Sequence, residues 1–233
     1  MKEFTHEDQQ RIWDAEHMQP QVLLQMDSDK ASSGVILFYD FLQSRPGNQV
    51  GIEMGCGKGR NVIWLALQPR IAHMTGLDFS PAAIKEAEVR AEKAGATRAS
   101  FAVQDITERW PFDDASVDFV LDCFAITDIE TPEARQRAVD EARRVLKSGG
   151  YLLTYVLSID DEFHKEMIGK NPAAERNAFH HPTGKFEKTF DDQDLAELHA
   201  AFTLVESRRI EKTAVFNGKD YFCKHFWNIY QKP

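Results

Sequence analysis

From Gln49 onward the chain alternates between short, nearly continuous apolar runs and stretches in which apolar residues recur every third or fourth position. Runs of the first kind fit buried strands, and stretches of the second kind fit amphipathic helices. QVGIEMG, IAHMTGLD, ASFAVQDI, SVDFVLDCFAI and YLLTYVLS predict five strands, with a first crossover helix at Arg60–Leu67. Two further helices carry strong end signals. Ser80 stands at an N-cap, with Pro81 next and Gly95 after the end; Thr131 and Pro132 repeat the start, and Gly149 and Gly150 close that helix. Such alternation predicts a doubly wound α/β fold, a parallel sheet with helices on both faces.

The flanks read differently. Thr5 and Asp8 form a capping-box-like pair ahead of Ile12 and Trp13. ASSGVILFYDFLQSR predicts a second helix, and PGN breaks the chain before Gln49. After strand five the periodicity lapses. Ser158 to Phe190 is polar and irregular, with a short helix near DEFHKEMIG. DDQDLAELHAAF predicts a last helix, followed by two strands, TLVESRRIEKTA and CKHFWNIYQK. Only VFNGKDYF separates them, too little for a helical crossover, so they should pair antiparallel.

At 233 residues the chain suits one α/β domain. Its longest apolar run, VIWLAL, is too short to span a membrane, and MKEFTHEDQQ is no secretory signal. Three cysteines with no paired spacing suggest neither a disulfide framework nor a metal site. A cytoplasmic location is the expectation. The net charge of −9 argues against DNA or RNA as the main partner, because phosphate backbones favour clustered Lys and Arg.

The chemistry concentrates in EMGCGKGR, between the first strand and its helix. Glycines there let backbone approach a ligand and aim the next helix's N–H groups at it. A dinucleotide fingerprint wants G-x-G-x-x-G. Here the glycines are Gly55, Gly57 and Gly59, and Arg60 stands where the third should be. Glu53 precedes the turn, and a carboxylate there repels pyrophosphate and attracts a cation. S-adenosylmethionine, with a sulfonium, an ammonium and no phosphate, suits the turn better than NAD. Asp78, ending the second strand, can bind both ribose hydroxyls. Asp105, ending the third, can accept from an adenine amino group with Ile106 against the ring. All three acids fall at carboxyl ends of consecutive strands, where open α/β sheets bind ligands.

With GLDFS, VQDI, FDDASVDFVLDCFAI and EARRVLKSGGYLLTYV in order after the glycine turn, the sequence resembles the class I S-adenosylmethionine-dependent methyltransferases from about Gln49 to the C-terminus. The resemblance implies a Rossmann-like seven-stranded sheet of order 3-2-1-4-5-7-6 with the last strand antiparallel. It implies that Glu53, Gly55 and Gly57 hold the methionine part, with Cys56 and Gly59 completing the turn. Asp78 would hold the ribose, Phe79 would flank adenine with Asp105 and Ile106 at its edge, and Asp122 would face the sulfonium and the acceptor. Glu53 departs from the family's usual Asp and keeps its charge. The chain then divides into an N-terminal helical cap (1–48), a cofactor-binding half (49–157), an acceptor lid (158–190) and a C-terminal helix and hairpin (191–233), all within one domain, 1–233.

Several residues carry plainer alternatives. Cys56 and Cys123 read as compact apolar filler. Trp13, Phe38 and Tyr39 either cap the site or form an ordinary apolar helix face. A base is required only if the acceptor must lose a proton. The candidates are Asp122, His164, His180, His181 and Tyr155, with no order among them. The histidines match no metal-ligand spacing, so no metal is expected. The absence of a Pro-Cys dipeptide and of a Pro-Pro motif after strand four removes two nucleobase chemistries. A small-molecule acceptor is the expectation, with S-adenosylhomocysteine as coproduct and the oligomeric state open. An acceptor in protein or tRNA, an NAD-dependent oxidoreductase, and a non-catalytic cofactor-binding protein are the alternatives.

Overall fold

The computed structural model describes residues 6–19, 28–216 and 218–233. Helices α1 (His6–Met18) and α2 (Ser33–Leu42) precede the alternating part, β1 (Gln49–Met54), α3 (Arg60–Ala66), β2 (Ile71–Asp78), α4 (Pro81–Ala94), β3 (Ala99–Val103), β4 (Val117–Cys123), α5 (Pro132–Val145) and β5 (Leu146–Leu157). Then come α6 (Glu162–Lys170), β6 (Ala178–His180), β7 (Phe186–Lys188), α7 (Asp192–Leu198), β8 (Thr203–Phe216) and β9 (Lys219–Gln231). The main sheet runs β3-β2-β1-β4-β5-β9-β8. Its first five strands are mutually parallel, and β9 is antiparallel to both neighbours. This is the expected order, with β8 and β9 as sixth and seventh strands. The Thr5 cap lies outside the described residues.

Strand alternation builds a core on each face of the sheet. Phe119, Leu121 and Leu153 point to the side covered by α2 and α3, with Phe38, Leu42 and Leu65. Val120 and Leu152 point to the other side, with Val139, Val145 and Phe226. Successive side chains on a strand face opposite ways, so one apolar run feeds both cores. The helix starts read from the sequence are real caps. Ser80 Oγ accepts from the Ala83 N–H at 3.1 Å, and Thr131 Oγ1 from the Ala134 N–H at 3.2 Å. No helix among the described residues is long and apolar enough to cross a membrane.

Two expectations are corrected. Gly149 and Gly150 do not close α5. The helix ends at Val145 and β5 begins at once, with a register shift opposite Val117–Phe119. Gly149 sits at φ +77°, and a Cβ on Gly150 would lie 2.9 Å from the Asp118 and Lys147 carbonyls. The pair makes a bulge, which demands glycine for a different reason than a helix stop does. Nor is 158–190 irregular. It holds α6 and an antiparallel hairpin, β6–β7, turning at Pro182 to Gly184 (φ +91°). Its Phe179 and Phe190 are buried.

Gly59 tests the glycine turn directly. It caps α3 at φ +76°, and a Cβ there would meet Phe101 Cε1 at 2.7 Å and Ala87 Cβ at 3.0 Å. A left-handed non-glycine residue costs about 1–2 kcal/mol, and overpacking about 1–3 more. Gly59→Ala should therefore lower Tm by roughly 5–10 °C in calorimetry. An unchanged Tm would show that the turn accommodates a side chain.

Candidate active site

The order β3-β2-β1-β4 sets four carboxyl ends side by side, bringing Asp105, Asp78, Glu53 and Asp122 to one edge of the sheet. Asp122 is directly opposite Met54, the residue after Glu53. The glycine turn leaves β1 with Gly55, Gly57 and Gly59 all at positive φ, at 63°, 52° and 76°. A Cβ on Gly55 would strike the Ala125 Cβ at 2.6 Å, so this backbone lies hard against the turn after β4. Cys56 fills the space above Gly76, and burial pushes its thiol well above the usual range. It is packing, not a nucleophile.

Glu53 is buried and accepts from Asn61 Nδ2 at 2.6 Å. Asn61 Oδ1 in turn accepts the Ser32 N–H at 2.8 Å, so the α2 cap, α3 and β1 are joined at this carboxylate. Burial raises the Glu53 pKa to about 7, against the lowering by Asn61. Asp122 is fully buried. Its Oδ1 accepts from the Ala125 and Ile126 N–H groups at 2.9 and 3.3 Å, forming the short turn Ile126–Asp128, and burial pushes its pKa to about 8. Glu53 Oε2 and Asp122 Oδ2 are buried and accept no hydrogen bond from the described residues. Asp78 accepts from the Gly57 N–H at 2.8 Å and the Ser80 N–H at 2.9 Å, and burial lifts its pKa to about 6. Asp105 lies in the turn past β3, where Oδ1 accepts from the Thr107 N–H (2.8 Å) and hydroxyl (2.9 Å). Ile106 packs on the core beside it, and Phe79 is half-buried.

Helix α1 lies across this edge. Gln10 Nε2 donates to the Phe79 carbonyl at 2.8 Å, Asp14 accepts from the Ser80 hydroxyl, and His17 stands over Gly57. Of the three candidate cap aromatics, Phe38 and Tyr39 belong to the core, stacked edge-on against Phe119 and Trp64. Trp13, on α1, packs near Lys185 instead.

The histidines gather away from the glycine turn, in the 158–190 segment. His180 Nε2 is 3.7 Å from Glu130, and His181 Nε2 is 3.1 Å from Glu187. His164 is clamped by Asp161 (2.5 Å) and Glu187 (3.4 Å). Burial opposes its charge, but the two carboxylates win and raise its pKa to about 9. Lys185, Glu187 and Asp128 complete this buried cluster, and sequence reading missed all three. It also missed Asn61 and Phe124. Phe124 follows β4 at φ +70°, its ring 4.7 Å from that of Tyr155. Bulky residues rarely adopt that backbone, and strain of this kind collects at functional sites.

Residues 52–150 match the family model described as a methyltransferase domain. That match likens this segment, less than half of the chain, to a methyltransferase domain. An S-adenosylmethionine-dependent methyltransferase of Methanosarcina mazei shares the fold, with a TM-score of 0.73 and 24% identity over 87% of this chain and 98% of that one. So does the 1,6-didemethyltoxoflavin-N1-methyltransferase of Burkholderia thailandensis, solved with its acceptor and S-adenosylhomocysteine. Its TM-score is 0.68 at 17% identity, covering 100% of this chain and 93% of that one. In sequence, the tRNA (carboxymethyluridine(34)-5-O)-methyltransferase of Arabidopsis thaliana is 30% identical over 122 residues, 52% of this chain and 27% of that protein. The chain spans less than half the length of the curated relatives it matches, from 27% to 46%. The matched segment runs from within β1 to the start of β5, and α1 and residues 158–190 lie outside it.

Proposed function

We propose that the chain transfers a methyl group from S-adenosylmethionine to a small organic acceptor. The observation that carries this reading is the pair of buried, orphaned carboxylate oxygens, Glu53 Oε2 and Asp122 Oδ2, at the ends of adjacent strands. A buried carboxylate oxygen without a donor is costly, and a cationic donor relieves it. The cofactor's ammonium and sulfonium fit that need, whereas a pyrophosphate would be repelled. Glu53 and the turn from Gly55 to Gly59 would hold the methionine part and Asp78 the ribose. Phe79, Asp105 and Ile106 would hold the adenine, and Asp122 would border the acceptor side.

When bound, the cofactor supplies an electrophilic methyl carbon. The chain's own residues align the acceptor and exclude water, which is the larger share of catalysis in a displacement needing no covalent intermediate. Helix α1 and the 158–190 lid serve that end. If the acceptor must lose a proton, Asp122 is a candidate base: a pKa of about 8 makes its ionised form a strong base, available once pH approaches 8. His180 and His181 remain candidates that act from the lid. A small acceptor is favoured by the acidic balance and by the row of acids along the edge. The tRNA reading is the second one, and the Arabidopsis relative supports it.

S-adenosylhomocysteine at about 100 times its Kd should stabilise the protein by about 2.7 kcal/mol, raising Tm by roughly 5–10 °C. NAD should leave Tm unchanged. A shift with NAD alone would sink the reading. With labelled S-adenosylmethionine, label should enter small amines, hydroxyls or thiols of a metabolite panel; preferential labelling of total tRNA would establish the second reading instead.

A further inference from the structure

Helix α1 and the hairpin β6–β7 are distant in sequence, yet they meet over the turn that follows β4. Lys185 stands at the meeting point with its side chain 2% exposed. Its ammonium is 3.1 Å from Asp128 Oδ1 in the β4 turn, pairs with Glu187 of its own hairpin, and lies 4.8 Å from the centroid of the Trp13 ring on α1. One helical turn before Trp13, Gln9 Nε2 donates to Glu130 Oε1 at 2.8 Å and approaches the Gly184 carbonyl at 3.4 Å. His180, on the hairpin, is 3.7 Å from that same Glu130 oxygen. Two contacts thus repeat one pattern, in which a group on α1, a group on the hairpin and an acid after β4 converge.

Other residues of α1 face the cofactor edge. Gln10 and Asp14 hold the end of β2, and His17 stands over Gly57. The cover of the cofactor crevice and the hairpin of the 158–190 lid are therefore joined through Lys185. Packing does not explain a lysine in this place. An apolar residue of similar volume would fill the space without desolvating a charge, and such replacements are often neutral or stabilising. A buried ammonium held by carboxylates on two segments and an aromatic face on a third is satisfied only when all three are in position. Displacing any one removes a partner from a buried charge, where each counts for more than in water.

We propose that Lys185 is a positioning residue that makes the cofactor cover and the acceptor lid a single body, so that neither opens without the other. This rests on reading 158–190 as the acceptor lid. It adds a consequence: a cofactor bound beneath α1 would close the hairpin from the far side, completing the acceptor's enclosure before the acceptor is committed.

Hydrogen–deuterium exchange on the free protein tests the coupling without cofactor or acceptor. Lys185→Met should raise exchange at least about tenfold in residues 178–188 and equally in 6–19, while β1 and β4 keep their protection. Trp13→Leu should produce the same pair of changes from the other side. If each substitution loosens only its own segment, the covers are independent and the proposal is wrong. If Lys185→Met does not fold, Trp13→Leu decides by the same criterion. S-adenosylhomocysteine added to the wild type is a separate arm. Protection appearing nowhere would count against the cofactor reading, and protection confined to 6–19 would count against the coupling.

Discussion

Asp78→Ala should weaken S-adenosylhomocysteine binding by about a hundredfold, measured by isothermal titration at pH 8. Asp78 uses each oxygen once within the protein, for the Gly57 and Ser80 N–H groups. A carboxylate has about four acceptor sites, so two remain for the two ribose hydroxyls. Each charge-assisted bond contributes about 1.5–3 kcal/mol, and about 1.4 kcal/mol is a tenfold change, so losing two removes at least two decades. Assaying at pH 8 matters, because burial lifts the Asp78 pKa to about 6 and a protonated carboxyl would blunt the difference. The substitution also orphans two backbone donors, so the free variant's Tm should fall by a few degrees while its cooperative transition persists. Wild-type affinity in a folded Asp78→Ala protein would remove Asp78 from the ribose site.

Asp78 could be named from the sequence because its evidence is local. A strand of eight residues ends on it, a helix cap stands two positions later, and the strand's period fixes where the end falls. The same reasoning placed Glu53 near the end of β1 and the glycine turn after it, whereas the sheet order came from the family resemblance. The final hairpin was legible because the spacing between its strands admits only one pairing. Lys185 carried no such sign. Lysine is almost never buried unless paired, and its partners here, Asp128, Glu187 and Trp13, are brought to it only by tertiary structure. Strands β6 and β7 are three residues long, too short to display a period, and only Pro182 and Gly184 between flanking aromatics hinted at the hairpin. Gly149 and Gly150 misled because a helix stop and a bulge ask for the same residue. Phe179 and His181 illustrate a further limit. Their composition suggested contact with an acceptor, yet both side chains are buried in the packing of the 158–190 segment, and of the three adjacent residues only His180 keeps a partly open face.

The free protein should lose stability as pH rises from 7 to 9, a range in which a chain rich in paired surface carboxylates would show no change. The cause is the set of groups that folding makes easier to protonate. His164 has its pKa raised from 6.5 to about 9, with Asp161 and Glu187 overcoming the cost of burial. A raised pKa contributes stability that is full below the unfolded value and is lost as pH climbs through the folded one. Burial raises Asp122 to about 8 and Glu53 to about 7, each from an ordinary carboxylate value. Their contributions are likewise present at low pH and lost on the way to 8. The opposing groups do not act in this window. Asp161 and Glu187 are lowered, so their stability is lost only on acidification below the usual carboxylate range. His199 and His225, lowered to about 4 and 3 by burial, already contribute fully above 6.5. Lys185 is raised and stays charged throughout. One pKa unit corresponds to about 1.36 kcal/mol, so His164 and Asp122 together should account for a decline of about 2–4 kcal/mol, or roughly 5–10 °C in Tm. Scanning fluorimetry at pH 7, 8 and 9 measures it. Two controls separate the contributors. His164→Gln should flatten the upper part of the slope. Saturating S-adenosylhomocysteine should make the decline shallower, because its ammonium beside Glu53 favours the ionised carboxylate. A Tm that holds or rises from pH 7 to 9 would mean that these buried groups do not keep their protons in the folded state, and that the cluster around His164 is hydrated.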